Sequence, residues 1–498
     1  RHRRRRLTID IRSPRLSSLA AQMSQRVRAL GVACMAALIL TLPHHALAQS
    51  GALPEAVARL LEKHRIPTGS LSVYVRDVSA NKPLVQVHAE VARNPASVMK
   101  VVTTLAGLDL LGPSYVWTTR AYARTAPNKG EIGDLFFVGG GDPFFVTERF
   151  WLFLRQLRDL GVANIRGDLV VDRSFFRTAK AQPGDFDKRP LRVYNVLPDA
   201  SLINFHATRF ILRPSPNGVA ISIDPPIDNF VVDNQLRLRD GPCKRRGWKL
   251  KLSVVETTPR RVRIAGTYPK RCPKHELTRA VLTPAAYTKG LFTGLWRELG
   301  GKFSGQLRYG SAPRDGSLLF EQASQPLALQ ARGMNKFSNN VMTRHLLLTL
   351  GAEHAGPPGT LKKGRAAIEA WLRKEGVWAS GFRIDNGAGL SRIARISART
   401  LGELLWKAYR SPRMPEIVSS LPIAGVDGSM RYRLQGEAGA GRAHIKTGLL
   451  NGVRAMAGYV LTQTGRRLVV VSLHNHPGVD RGVGTQVQDA LLRWAHNL

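Results

Sequence analysis

Residues 94–104 read NPASVMKVVTT, which puts Ser97 three residues before Lys100 at the start of an apolar run. The apolar positions continue with helical spacing to Leu111, and a Gly-Pro pair then ends the predicted helix. Residues three apart lie on one face of a helix. A serine needs a base to become a strong nucleophile, and a lysine is such a base only when its pKa is lowered. The spacing favours an activated serine, although it also occurs by chance.

A second element, Ser338-Asn339-Asn340, lies in the stretch MNKFSNNVMTRHL at the start of a later helical block. In this position Ser338 is suited to pass a proton onward. The amide of Asn340 is suited either to hold a substrate carbonyl or to orient the lysine. Taken alone, the triplet is more typical of a helix cap than of a catalytic motif.

A third element, Lys446-Thr447-Gly448, lies in AHIKTGLLNGVRAMAGYV, which alternates like a strand. A lysine and a threonine on a strand edge present a cation and a hydroxyl to a carboxylate. The glycine lets a ligand approach the backbone closely. Alone, these three residues also fit an ordinary strand.

In this order, S-x-x-K, S-x-N and K-T-G match the signature of the serine penicillin-recognising enzymes. The chain resembles the class C low-molecular-mass penicillin-binding proteins, the D-alanyl-D-alanine carboxypeptidase/endopeptidases of the penicillin-binding protein 4 type (peptidase family S13). The block DNGAGLSR (385–392) also reads like that family. The long separation of Ser97 from Ser338 is typical of it, because the family carries inserted domains there.

The resemblance implies an α/β (α+β) fold: a β-lactamase/transpeptidase-like catalytic domain with an antiparallel sheet and a helical cluster, interrupted by β-rich inserted domains. The texture of the sequence predicts the same division. We expect the catalytic domain over 49–113 and 285–498, and the insert over 114–284.

The resemblance also implies the chemistry. The enzyme would cleave the terminal D-Ala-D-Ala bond of peptidoglycan peptides, D-Ala-meso-diaminopimelate cross-links, or both, through an acyl-enzyme, and β-lactams would acylate it. Ser97 would attack the carbonyl and Lys100 would take its proton. The remaining catalytic residues would be Ser338 and Lys446, which pass the proton to the leaving amine, and Asn340, which helps bind the substrate.

The substrate would further contact Thr447, Gly448 and Leu449, and the backbone N–H groups of Ser97 and Leu449 would form the oxyanion hole. Arg392 and Asn451 match family positions that line the pocket for the peptide side chain. The sequence departs from the family at Leu449, where a hydroxyl residue is usual. We expect this change to tilt the enzyme toward cross-links or away from free pentapeptide.

The first 48 residues predict a secretory signal peptide and therefore a periplasmic protein. Arg26 and Arg28 precede the apolar run LGVACMAALILTL, and Ala-Leu-Ala follows as a cleavage site before Gln49. The apolar run is shorter than the roughly 20 residues that a membrane anchor needs. The chain starts with Arg rather than Met. A second interpretation is therefore that residues 1–22 precede the true start codon and that translation begins at Met23.

The cysteines and the charge describe the exported protein. Cys34 leaves with the signal, and the remaining Cys243 and Cys272 are predicted to form a disulfide in an oxidising compartment. The full chain has a formal net charge of +39, of which +31 remains once the signal peptide, with its nine Arg and one Asp, is removed; this charge favours contact with an anionic cell wall or membrane surface. Nucleic acid is not expected as a partner, since no aromatic RNA-binding motif, zinc knuckle or continuous basic helix is found.

Two other functions remain open from the sequence. A β-lactamase on the same core would need a base for fast deacylation, and no glutamate lies in a suitable motif. A catalytically silent wall-binding module would keep the motifs only as structure. No cofactor or metal is expected, because the pair His474 and His476 has no third ligand in view.

Overall fold

The protein is described by a computed structural model that covers residues 51–243, 249–255, 257 and 259–498. The predicted signal peptide lies outside these residues. The helices are α1 (Glu55–Lys63), α2 (Met99–Leu110), α3 (Thr147–Asp159), α4 (Pro284–Glu298), α5 (Leu327–Lys336), α6 (Asn340–Ala355), α7 (Leu361–Lys374), α8 (Ala398–Tyr409), α9 (Met414–Ser420) and α10 (Val483–His496).

The strands fall into one sheet built from both ends of the described chain and several sheets in between. In chain order they are β1 (Leu71–Asp77), β2 (Val85–Val87), β3 (Thr118–Ala123), β4 (Glu131–Ile132), β5 (Leu135–Val138), β6 (Asn164–Ile165), β7 (Leu169–Asp172), β8 (Thr208–Ser215), β9 (Gly218–Asp224), β10 (Phe230–Arg239), β11 (Lys249–Val255), β12 (Arg260–Pro269), β13 (His275–Arg279), β14 (Lys302–Phe303), β15 (Leu307–Tyr309), β16 (Ser317–Ala323), β17 (Ala443–Leu450), β18 (Val453–Leu461) and β19 (Arg467–Asn475).

The catalytic sheet has the order β17-β18-β19-β1-β2, and all of its neighbours pair antiparallel. Alternate side chains of each strand enter two separate cores, as strand geometry requires. Tyr74 packs with the helices α2 and α5–α8, whereas Val73 and Val75 pack with α1 and α10. The sheet and its helical cluster confirm the fold class expected from the sequence.

Helix α2 lies at the centre of this cluster and is buried on nearly all sides. It packs against α6 so closely that a Cβ on Gly107 would meet the side chain of Leu346 at 2.9 Å. An all-round apolar sequence makes this position favourable. The residues at the start of α2 are thereby fixed in the middle of the domain.

The β-rich insert has its own apolar core, which is separate from the cores of the catalytic sheet. A five-stranded sheet of order β15-β7-β5-β3-β16 forms one part, and three smaller sheets form the rest. A disulfide joins Cys243, which follows β10, to Cys272, which follows β12; these two strands are neighbours in one of the smaller sheets.

The insert extends further along the chain than residue 284. Helix α4 contributes Phe292 and Trp296 to the core of the insert, and β16 pairs with β3. We therefore place the return to the catalytic domain near residue 324, about 40 residues after the boundary expected from the sequence. The boundary was placed too early because the hydrophobic pattern of α4 resembles that of the helices in the catalytic domain, although α4 packs into the insert.

Candidate active site

Ser97 lies in one turn of 3-10 helix, Ala96–Val98, which leads into α2. The α-helix itself begins two residues later than Ser97, although the sequence pattern placed the serine within it. Ala96 has a φ of 45°, in the left-handed region that side-chain-bearing residues rarely adopt. The amide oxygen of Asn94 accepts a hydrogen bond from the Ala96 N–H at 2.8 Å and holds this turn. Strain of this kind clusters at functional sites.

Lys100 is fully buried, and its amine has three partners around it. Nζ lies 3.0 Å from Ser97 Oγ, 2.7 Å from Asn340 Oδ1 and 2.6 Å from the carbonyl oxygen of Ala388. Burial lowers the pKa of Lys100 well below its ordinary value, and the positive charges of Lys446 and Arg344 lower it further. The amine beside Ser97 is therefore suited to accept a proton.

A second lysine–serine pair faces the first from β17. Nζ of the buried Lys446 donates to Ser338 Oγ at 3.0 Å and to the Thr447 carbonyl at 2.7 Å. Burial lowers the pKa of Lys446 to about 7. Ser338 has a φ of 56° in the short connection between α5 and α6.

Both meanings of the Ser-Asn-Asn triplet are present in the structure. Asn339 caps α6, since its side-chain oxygen accepts from the Met342 N–H at 3.1 Å. Asn340 does not cap; its Oδ1 accepts from Lys100, and its Nδ2 donates to the Tyr194 carbonyl at 3.3 Å. Its amide therefore orients the lysine, which was one of the two roles open from the sequence.

Gly448 brings the edge strand β17 against the turn that carries Ser97. A Cβ at this position would lie 2.5 Å from the Pro95 carbonyl oxygen and 3.1 Å from the Ser97 nitrogen. On the opposite face of the strand, Thr447 is half-buried and the Leu449 side chain is 52% exposed. Glycine is needed here because the two backbones almost touch.

The DNGAGLSR segment packs against the start of α2 and contacts the site through main-chain atoms. The carbonyl of Gly387 accepts from the Thr103 hydroxyl at 2.8 Å, and the next carbonyl accepts from Lys100. A Cβ on Gly389 would lie 1.8 Å from the Ala96 oxygen. The sequence did not reveal the contact of Ala388, because a main-chain carbonyl gives no residue-type signal.

Arg392 and Asn451 lie together at the edge of the site. The Arg392 guanidinium is 3.4 Å from the Asn451 carbonyl oxygen and stacks over the ring of Phe186, 5.0 Å from its centroid. Phe186 comes from the insert and lines, with Arg392, a cavity of about 430 Å³. Phe186 was missed in the sequence analysis, since its partner is more than 200 residues away.

Histidine, cysteine and carboxylate side chains do not gather into metal-binding groups of three or more anywhere in the described part of the chain. His474 belongs to the buried end of β19, and its Nε2 lies 3.1 Å from Ser70 Oγ.

Two serine–lysine pairs at the edge of an antiparallel sheet, backed by an asparagine, are the arrangement of the penicillin-recognising serine peptidases. The model of the D-Ala-D-Ala carboxypeptidase 3 (S13) family matches residues 53–498. The chain belongs to this family, which confirms the resemblance read from its motifs, and it is a serine-type D-Ala-D-Ala carboxypeptidase.

Relatives match along most of their length. The chain is 28% identical over 455 residues to the D-alanyl-D-alanine carboxypeptidase of Actinomadura sp. (strain R39), covering 88% of this chain and 83% of that protein. It is 24% identical over 417 residues to the D-alanyl-D-alanine carboxypeptidase DacB of Haemophilus influenzae, covering 82% and 86%. The crystal structure of penicillin binding protein 4 from H. influenzae shares the fold, with a TM-score of 0.75 at 23% identity over 90% of this chain and all of that one.

We predict that Gly448→Ala abolishes most acylation by a chromogenic β-lactam while the protein stays folded. The added Cβ would push β17 away from the Ser97 turn, and a small displacement in a reacting geometry costs about 100-fold in rate. Stopped-flow acylation kinetics and circular dichroism measure the two effects. Gly133→Ala, at a position of the insert where a Cβ has open space and the backbone is outside the left-handed region, is the control for a glycine change outside the site. Acylation of Gly448→Ala at the wild-type rate would contradict the close approach inferred here.

Proposed function

We propose that Ser97 is the nucleophile of this peptidase and that neutral Lys100 is the base that activates it. The single observation that carries the proposal is the 3.0 Å contact between Ser97 Oγ and a fully buried lysine amine. A buried lysine close to other cations favours its neutral form. Ser97 Oγ then bonds to the carbonyl carbon of the scissile bond, and its proton passes to Lys100 Nζ.

Ser338 and Lys446 complete the acylation step. Collapse of the tetrahedral intermediate breaks the bond to the leaving amine, which must gain a proton as it departs. Ser338 is hydrogen-bonded to Lys446, so its hydroxyl donates to the amine and is reprotonated from the lysine. Water afterwards releases the peptide from Ser97.

The developing oxyanion has two backbone donors within reach in this proposal, the N–H groups of Ser97 and Leu449. Their support is the close approach of β17 to the Ser97 turn: a Cβ on Gly448 would lie 3.1 Å from the Ser97 nitrogen, so the edge of β17 lies beside the nucleophile. Donors fixed in advance at such a position usually contribute several kcal/mol to lowering the barrier.

The substrates in this proposal are peptidoglycan stem peptides, cleaved at the terminal D-Ala-D-Ala bond, at D-Ala-meso-diaminopimelate cross-links, or at both. The cavity lined by Arg392 and Phe186 is open to the side chain of the third peptide residue, and Asn451 lies beside it. β-Lactams would acylate Ser97 as substrate mimics. The H. influenzae penicillin binding protein 4, which shares this fold, has been crystallised in complex with a β-lactam.

The proposed location is the periplasm, reached through the predicted signal peptide. Over the described residues, every helix is too short or too polar to cross a bilayer. The net charge of +31 on residues 49–498 would favour attachment to the anionic cell wall or membrane surface, where the substrate lies.

The nucleophile is tested by the intact mass of the protein from residue 49 onward after mixing with benzylpenicillin. We expect a one-to-one adduct on the wild type and none on Ser97→Ala, because Ser97 is the hydroxyl that Lys100 activates in this proposal. An adduct that persists for many minutes fits a peptidase, whereas rapid release would identify a β-lactamase. Absence of any adduct would revive a silent wall-binding module.

The pH dependence of acylation tests the base. Lys100 must be neutral to act, so kcat/KM should rise as the pH rises through its pKa. The charge of Lys446 lowers that pKa, and therefore Lys446→Met should move the rising limb to higher pH besides slowing the reaction. Lys362→Met, at an exposed position of α7, should leave the limb in place. A limb that stays fixed or moves to lower pH in Lys446→Met would contradict the assignment.

A further inference from the structure

Two hydroxyls from separate elements meet beside the active site. Ser429 Oγ lies 2.7 Å from Thr447 Oγ1, and Ser429 is exposed to solvent. When one hydroxyl donates to the other, the second still has its own O–H available, so the pair always offers a donor to a ligand. Nζ of Lys446 lies 2.7 Å from the Thr447 carbonyl and adds positive charge at the same residue. This combination suits an anion.

The neighbouring position on β17 offers no donor of its own. Residues 447 and 449 share one face of the strand because side chains alternate. Leu449 is an exposed aliphatic side chain, at 52% of its full accessibility. Because Leu449 has no hydroxyl, the second hydroxyl beside Thr447 comes from Ser429, which lies outside the strand.

The turn that carries Ser429 is tightly fixed to the Ser338 connection. Ser429 is the middle residue of a 3-10 turn, Gly428–Met430, that follows Asp427. The Asp427 carboxylate accepts from Lys336 Nζ at 2.6 Å and from the Ile423 N–H at 2.9 Å. Lys336 is buried and stands two residues before Ser338.

Close packing supports the same link. A Cβ on Gly428 would lie 2.6 Å from the Lys336 carbonyl oxygen. The position of Ser429 is thus set by the same segment that positions Ser338. A hydroxyl held in advance loses little conformational freedom when it binds a ligand.

We propose that Ser429 is a specificity-determining residue that binds, together with Thr447, the C-terminal carboxylate of the substrate peptide. The inference rests on the proposed function, which places the scissile bond between Ser97 and β17. The residue following that bond then lies along β17, and its carboxylate reaches the hydroxyl pair next to Lys446. Ser429 thereby supplies the donor that Leu449 lacks.

The experiment compares a peptide ending in D-Ala-D-Ala with the same peptide bearing a C-terminal amide, measured as kcat/KM for each. Ser429→Ala should lower the preference for the free acid about tenfold, because a hydrogen bond to a charged group is lost. Ser429→Thr keeps a hydroxyl and should keep most of the preference. Ser419→Ala, a matched exposed serine on α9, should leave the preference unchanged.

A second variant separates recognition from structure. Leu449→Thr in the Ser429→Ala background returns a hydroxyl to the face of Thr447 and should restore part of the preference. An unchanged acid preference in an active Ser429→Ala variant would overturn this inference alone, as would an equal loss on both peptides. A wild-type protein that cleaves neither peptide would overturn the proposed function and this inference with it.

Discussion

The structure depends on the burial of two lysines within one small site. Moving an ammonium group out of water is costly unless partners compensate or the group loses its proton. Lys446 lowers the pKa of Lys100, so the cheapest arrangement leaves Lys100 neutral. The fold surrounds each amine with a serine hydroxyl and main-chain or amide oxygens, and these oxygens fix the direction of each lysine. The chemistry of the site follows from this burial.

The burial requires backbones from distant parts of the chain to meet. The turn at Ser97 is pressed between Gly389 and Gly448, and neither position has room for a side chain. The ends of the described chain form one sheet, so the strand with Lys446 lies beside the helix that follows Ser97. The insert does not disturb these backbone contacts around Ser97, because it buries its apolar side chains in a core of its own. It also contributes Phe186 and the Tyr194 carbonyl to the edge of the site.

The sequence predicted the parts of the site that depend on side-chain type. Ser97, Lys100, Ser338, Asn340 and Lys446 were found because their three motifs occur together in the order typical of one family, and the structure brings all of them together. The carbonyl of Ala388 and the partners Tyr194 and Phe186 were missed, since main-chain atoms and long-range contacts leave no local pattern. The end of the insert was missed for a related reason: α4 is amphipathic like any other helix, and its pattern does not say which core it enters.

The most direct test of the account is the pKa of Lys100 itself, followed by NMR of the lysine side-chain carbons in protein labelled with ¹³C-lysine. The signal of Lys100 is assigned by its disappearance in Lys100→Arg. The account predicts that Lys100 titrates well below the exposed lysines, which lose their protons near a pKa of about 10.4. A Lys100 that titrates together with the exposed lysines would be protonated at neutral pH, and Ser97 would then have no base beside it.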